Sequence, residues 1–230
     1  MIKQNKIWLK KNSYEKKFGS KFPPSYPNET VIKLCTSKRL SGISTNIFKK
    51  NFKVIEIGCF AGNNLRFFIE NKIQCFGSEI NKEMVQLCQD NLKRLKLKPP
   101  LVKIGVNEKI NYNNNLFNML VSINTIHYSF KDGLVKAVKE YSRVLKKGGI
   151  AIIETPNIDH TIVKNSKFID DFHFKWGPSG FRKNSDMGFI NNEKKFMNIL
   201  KKFFKKVEIN YKIENYKKFK MSNYVFVCQK

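Results

Sequence analysis

Four apolar-to-acidic residues, Val54-Ile55-Glu56-Ile57, run straight into Gly58-Cys59-Phe60-Ala61-Gly62 and then into Asn63-Asn64. No other stretch of the chain restricts its fold so much. A short, nearly continuous apolar run suits a strand buried on both faces of a parallel sheet. The glycines mark a tight turn where backbone can approach another group closely, and the residues after them begin a helix. Ile73–Glu79 is a second apolar run, and it ends in an acid. A strand, glycine loop, helix and acid-tipped strand form a unit that lays a nucleoside against bare backbone and offers a carboxylate to its ribose hydroxyls.

The pattern continues downstream. Asn81 is a good N-cap, with Glu83 in the first turn, for a helix through Leu95, and Pro99-Pro100 stops it. Leu101–Val106 reads as a third strand, Asn107–Asn115 as a polar loop and Asn118–Ile123 as a fourth strand. Asp132–Leu145 reads as a helix closed by Lys146-Lys147-Gly148-Gly149, where lysines suit the helix C-terminus and glycine supplies the cap. Ile150–Glu154 is a fifth strand. Strict alternation of this kind predicts a doubly wound α/β sheet. Residues 156–191 show no clear periodicity. A helix over Glu193–Phe204 and two strands, Lys206–Ile213 and Asn223–Cys228, follow, and the two strands should pair antiparallel at the sheet edge.

Composition narrows the classes. No apolar run approaches the roughly 18 residues of a membrane span, and the basic N-terminus lacks a secretory apolar stretch, so the expectation is a cytoplasmic protein. Five cysteines are scattered without a C-x-x-C pair, and there are only three histidines, which argues against structural zinc and for reduced core thiols. The net charge of +26 favours phosphate-bearing partners in principle. The excess is nearly all lysine, however, and Asn, Ile and Phe are also abundant, the pattern an AT-rich genome produces. Arginine, the better bidentate phosphate ligand, is sparse.

Four strings in order, Glu56–Gly62, Glu79, Leu116–Ser122 and Arg143-Val144-Leu145-Lys146-Lys147-Gly148-Gly149, give the chain its family likeness. Over about residues 52–155 it resembles the class I S-adenosylmethionine-dependent methyltransferases, in their small-molecule branch. The resemblance implies a Rossmann-like, seven-stranded, mostly parallel sheet in the order 3-2-1-4-5-7-6 with one antiparallel C-terminal strand. It implies one domain over 1–230: an N-terminal arm and helices (1–50), a cofactor-binding core (52–155), a substrate lid (156–191), and a C-terminal helix and strand pair (192–230).

It also implies S-adenosylmethionine as cofactor. Gly58, Cys59, Phe60 and Gly62 would form its loop, Glu79 would take the ribose diol, and Ile80 and Met84 would flank the adenine. Glu56 would lie near the methionine end, Val106 and Asn107 near the adenine edge, and Asn124 at the mouth where the methyl points. Phe60 stands where the family usually keeps a glycine, so the loop should be partly walled by an aromatic ring. A nicotinamide-dinucleotide site fits poorly, because it wants G-x-G-x-x-G. His127, after the fourth strand, and His160 are candidate bases. Tyr14, Tyr26, His173 and Trp176 are candidate acceptor contacts, and no metal site is expected. The acceptor is expected to be a small molecule, an anionic one among the candidates, methylated on oxygen or nitrogen. Two other readings stay open: an RNA-modifying enzyme using the basic surface, and a catalytically silent subunit that keeps the fold.

Overall fold

The structure, a computed structural model, describes residues 26–37, 40–43, 46–177 and 184–230. Tyr14 and most of the basic N-terminal arm lie outside the described residues.

The chain enters through helix α1 (Glu29–Thr36), capped by Asn28, whose side chain accepts the Thr30 N–H. Strand β1 (Lys53–Ile57) is buried from Val54 onward. After the glycine loop come α2 (Asn63–Glu70), β2 (Gln74–Glu79) and α3 (Lys82–Arg94). Asn81 caps α3 by accepting the Met84 N–H. Then follow β3 (Val102–Ile104), β4 (Phe117–Ile123), a short 3-10 turn (Ile126–Tyr128), α4 (Asp132–Val144) and β5 (Leu145–Pro156). The rest comprises α5 (Thr161–Lys164), β6 (Lys167–Asp170), β7 (His173–Lys175), β8 (Asp186–Met187), α6 (Glu193–Lys201), β9 (Lys206–Tyr216) and β10 (Phe219–Gln229).

Seven strands form one sheet in the order β3-β2-β1-β4-β5-β10-β9, and β10 runs antiparallel to both neighbours. Counted within that sheet, this is 3-2-1-4-5-7-6. Side chains alternate between faces, so each face builds its own core. On one face Val54, Met119, Val121 and Ile152 meet Val31 and Cys35 of α1, Leu65 and Phe68 of α2, and Cys88 and Leu92 of α3. On the other, Ile55, Leu120, Ala151 and Ile153 meet Leu134, Val138 and Tyr141 of α4 and Phe196 and Leu200 of α6. Burial on both faces is why these strands read as apolar runs rather than alternating ones. All five cysteines are buried free thiols. No helix among the described residues is long and apolar enough to cross a membrane.

Three local expectations are corrected. Lys146–Gly149 does not cap α4: Leu145 is already extended and pairs with Phe117 of β4. The pairing then resumes at Met119 and Ile150, so the Lys-Gly string forms a bulge within β5, with Gly148 at φ 76°. Cross-strand pairing outcompetes the local capping signal, and the glycine supplies the bulge's left-handed residue instead. Residues 156–191, read as aperiodic, contain a second, three-stranded antiparallel sheet, β6-β7-β8. Its strands are two to four residues long, too short for alternation to register. Val163, Phe174, Met187 and Phe189 give it a small core of its own. The third strand is also shorter than expected, confined to Val102–Ile104.

Candidate functional site

The carboxyl ends of β1, β2, β4 and β5 converge where the sheet order reverses beside β1, the usual ligand position in such folds. The loop after β1 has left-handed backbone at Gly58 (φ 67°), Phe60 (φ 49°) and Gly62 (φ 79°). A side chain at Gly58 would meet Thr125, the nearest atom 2.5 Å from the added carbon, so this approach requires glycine. Gly62 sits against Leu92 and Cys88 of α3, which is close helix–loop packing. Phe60 holds the same backbone region at a cost of about 1 kcal/mol that a glycine would not incur. What holds it is Glu79: its Oε1 accepts the Phe60 N–H at 2.6 Å, while Oε2 accepts the Ile80 N–H at 2.9 Å. The carboxylate at the tip of β2 therefore sets the loop's shape. Asn91 of α3 adds a second tether, donating to the Ala61 carbonyl at 2.8 Å.

Glu79 and Glu56 are both buried. Burial pushes the Glu79 carboxyl above its ordinary range, opposed by the two backbone N–H groups. Burial pushes Glu56 up to about 8, with the nearby Glu79 charge adding to the effect and the Asn64 amide opposing it. Asn64 donates to Glu56 Oε1 at 2.7 Å, but Oε2 has no partner. Asn64 in turn accepts the Asn28 N–H at 2.7 Å, so the cap residue of α1 reaches the pocket acid through one amide. The sequence singled out neither Asn64 nor Thr125. Only the position of Asn64 in the first turn after the glycine loop could have pointed to it.

The remaining predicted residues are placed as follows. Cys59 and Met84 are buried, and Ile80 and Val106 are half-buried around the loop and the ends of β2 and β3. Asn107 is buried, and its side chain is used within the protein: it donates to the Thr125 carbonyl and Ser129 Oγ and accepts from Tyr141. Its backbone, rather than its amide, is therefore what the β3 loop can offer a ligand. Asn124 is exposed at the end of β4, in left-handed backbone (φ 52°), with its N–H on the Glu154 carbonyl.

His127 is buried in the 3-10 turn, its ring 4.7 Å from Tyr128 and 5.4 Å from Phe189, and its carbonyl accepts the Gly188 N–H. It clamps the small sheet to the end of β4. His173 Nε2 donates to Asp186 Oδ1 at 2.7 Å, and the ring stacks on Phe130 at 4.9 Å. Trp176 packs 5.9 Å from Phe189. His173 lies in β7 and Trp176 just after it, packed against the small sheet's core, whereas Tyr26 is exposed beside α2 with the Arg66 guanidinium over its ring. Among the described residues no group of three or more His, Cys, Asp or Glu is placed to hold a metal.

His160 has a visible structural use. Its Nδ1 caps α5 by accepting the Ile162 N–H at 3.2 Å, and its ring meets Phe219 edge-on. Burial lowers its pKa. Folding thus favours the neutral ring, which alone can accept at Nδ1. That stability is present above the unfolded pKa of about 6.5 and is lost as pH falls through the lower folded value. We expect His160→Ala to cost about 1 kcal/mol at pH 7.5, the ordinary worth of a cap. His160→Asn should keep the cap and flatten the loss of melting temperature between pH 7.5 and 5. An unchanged acid slope in His160→Asn, measured by thermal denaturation, would assign the pH dependence elsewhere.

Comparison with known proteins agrees with this geometry. The family model described as a methyltransferase domain matches residues 55–153. A solved S-adenosylmethionine-dependent methyltransferase from Methanosarcina mazei superposes with a TM-score of 0.64 at 16% identity, covering 80% of this chain and 95% of that one. A Thermotoga maritima S-adenosylmethionine-dependent methyltransferase, described as a possible histamine N-methyltransferase, gives 0.55 at 20% identity, covering 79% and 83%. A putative methyltransferase from Bacillus halodurans gives 0.58 at 10% identity, covering 84% and 99%. At such identities the likeness is one of fold. No curated protein matches the chain.

Proposed function

We propose, from the premise that residues 55–153 form a methyltransferase domain of the class I, S-adenosylmethionine-dependent kind, that the protein transfers a methyl group to oxygen or nitrogen of a small molecule. The observation that carries the reading is Glu56. It is a buried acid with one oxygen held by Asn64 and the other without a donor, beside a loop whose backbone only glycine permits at Gly58. A buried acceptor left unpaired is costly, and a cationic ligand group removes that cost.

S-adenosylmethionine implies an ammonium for Glu56, a ribose diol for Glu79 and an adenine for Ile80 and Met84. It carries no phosphate, which fits an acid-lined pocket. When bound, this cofactor supplies a methyl group on a sulfonium. The protein's part is alignment: the glycine loop and Glu79 fix the donor, while the small sheet clamped through His127 walls the acceptor side. Each oxygen of Glu79 accepts one backbone N–H and keeps one further acceptor site, so loop anchoring and diol binding are compatible.

Titration calorimetry with S-adenosylhomocysteine tests the reading. We expect saturable one-to-one binding tighter than about 1 mM, within the usual range for enzyme ligands. Failure to bind overturns the cofactor assignment.

The net charge of +26 supports a second reading, with RNA as the acceptor. It predicts RNA affinity that falls steeply as salt rises. Salt-independent or absent RNA binding favours the small-molecule acceptor.

A further inference from the structure

The fold sorts the charges of this chain by sign. Residues 93–98 (KRLKLK) lead toward β3, residues 49–53 (KKNFK) enter β1, Lys146 and Lys147 open β5, and residues 201–206 (KKFFKK) lead into β9. These four segments hold thirteen cations and no acid, and they meet the sheet at one edge, where those strands begin. All but Lys53 and Lys146 are exposed. Strand pairing joins them into a stripe. Asn118 Oδ1 accepts the Lys53 N–H at 3.0 Å and the Lys146 ammonium at 3.4 Å. Gln229 of β10 stands in register with Ile150 on one side and Lys206 on the other. Across seven strands the stripe spans about 30 Å. Among the described residues none of its lysines forms an ion pair. The nearby acids are used elsewhere: Glu70 by Arg66, Glu140 by Arg143, and Glu208 by Ser41 and Gly42.

Beyond the other end of the strands the charges are mixed and paired, as in Lys164–Asp159, Lys175–Asp186 and Lys195–Asp171. An AT-rich genome makes lysine abundant, but it does not sort charges along an axis. The helix dipole favours Lys93 and Lys201, which end helices. It does not reach residues 49–53, which follow no helix directly, or Lys146, Lys147 and Lys206, which lie in strands. A row of unpaired ammonium groups reads charge rather than shape, so its ligand is a polyanion. A nucleic-acid backbone is a line of phosphates, and a stripe one loop wide matches such a line. A membrane surface wants apolar side chains set among the cations. Among the described residues only Phe48 and Leu101, of the exposed large apolar side chains, lie beside these segments in sequence. We propose that this edge is a docking track for the phosphodiester backbone of a nucleic acid. The glycine loop begins beyond the far end of β1, about 16 Å along the strand from Lys53. The track therefore tethers its partner behind the site, and it stands apart from either reading of the acceptor.

The test compares the two ends of one hairpin in the full chain. Lys205→Glu with Lys206→Glu changes the track, and Lys217→Glu with Lys218→Glu makes the same charge change at the exposed turn between β9 and β10. Binding of a fluorescein-labelled oligouridylate is followed by anisotropy at about 50 mM salt. The track pair should weaken it at least tenfold and the turn pair less than twofold, with S-adenosylhomocysteine affinity unchanged in both. Equal losses at the two ends overturn the proposal, because diffuse net charge then suffices. So does absence of saturable binding by the wild-type protein, or full affinity in the track pair, which would put the RNA elsewhere. Vesicles containing phosphatidylserine serve as the rival probe. If they bind more tightly than the oligouridylate and the track pair releases them, the surface is a membrane one and the proposal fails. Should the track pair fail to fold, Lys49→Glu with Lys50→Glu decides by the same criterion.

Discussion

Glu79→Ala is expected to weaken S-adenosylhomocysteine binding at least a hundredfold in titration calorimetry. Two charge-assisted hydrogen bonds to a ribose diol are worth about 1.5–3 kcal/mol each, which sets that scale. The same substitution removes the acceptor that holds the Phe60 N–H, so the left-handed turn at Phe60 loses its tie to β2. The two losses can be separated with the ligand. A dideoxyribose analogue should bind wild-type protein poorly and should lose little more on Glu79→Ala. Full affinity for S-adenosylhomocysteine in Glu79→Ala would show that the acid only shapes the loop.

A second substitution should act in the opposite direction on stability. Glu56 is pushed up to about 8 by burial, with Glu79 adding and Asn64 opposing. Its unfolded value is near 4.3. The unfolded chain therefore sheds this proton first, and the stability is fully present below about pH 4.3 and lost as pH rises through 8. Glu56→Gln is free of that loss. In the ligand-free protein it should melt roughly 5–10 °C above wild type at pH 8.5 and near wild type at pH 5. It should also bind S-adenosylhomocysteine more weakly, because the ammonium loses its acid. A stabilised variant with weakened binding is the mark of an acid retained for its ligand. If Glu56→Gln is destabilised at pH 8.5, Glu56 belongs to the scaffold alone.

Much of this architecture was legible because its signals are local and repeated. The runs at Val54–Ile57 and Asn118–Ile123 are buried on both faces, so the sheet's centre shows as apolar clusters without any knowledge of neighbours. Asn81 announces α3 by its own capping chemistry. What stayed hidden depends on partners distant in sequence. Asn64 and Asn223 are ordinary polar residues until the fold sets each beside a buried acid. The strand role of Lys146–Gly149 depends on β4, which no local pattern encodes. The small sheet escaped because β6 is exposed along its whole length, leaving no buried face to count. His160 looked chemical because histidines are scarce here, and its capping use appears only with α5 in place.

The tie from the Asn28 backbone through the Asn64 amide to Glu56 makes the entry helix part of the pocket's wiring. A tug on the chain upstream of residue 28 is felt two hydrogen bonds away, by a carboxylate whose charge is finely balanced. If α1 loosens, Asn64 is free to turn, and the acid then loses its side-chain donor and holds its proton more firmly. Seating the first helix and setting the surroundings of Glu56 are thus coupled, and whatever presses on α1 acts on that carboxylate without touching it.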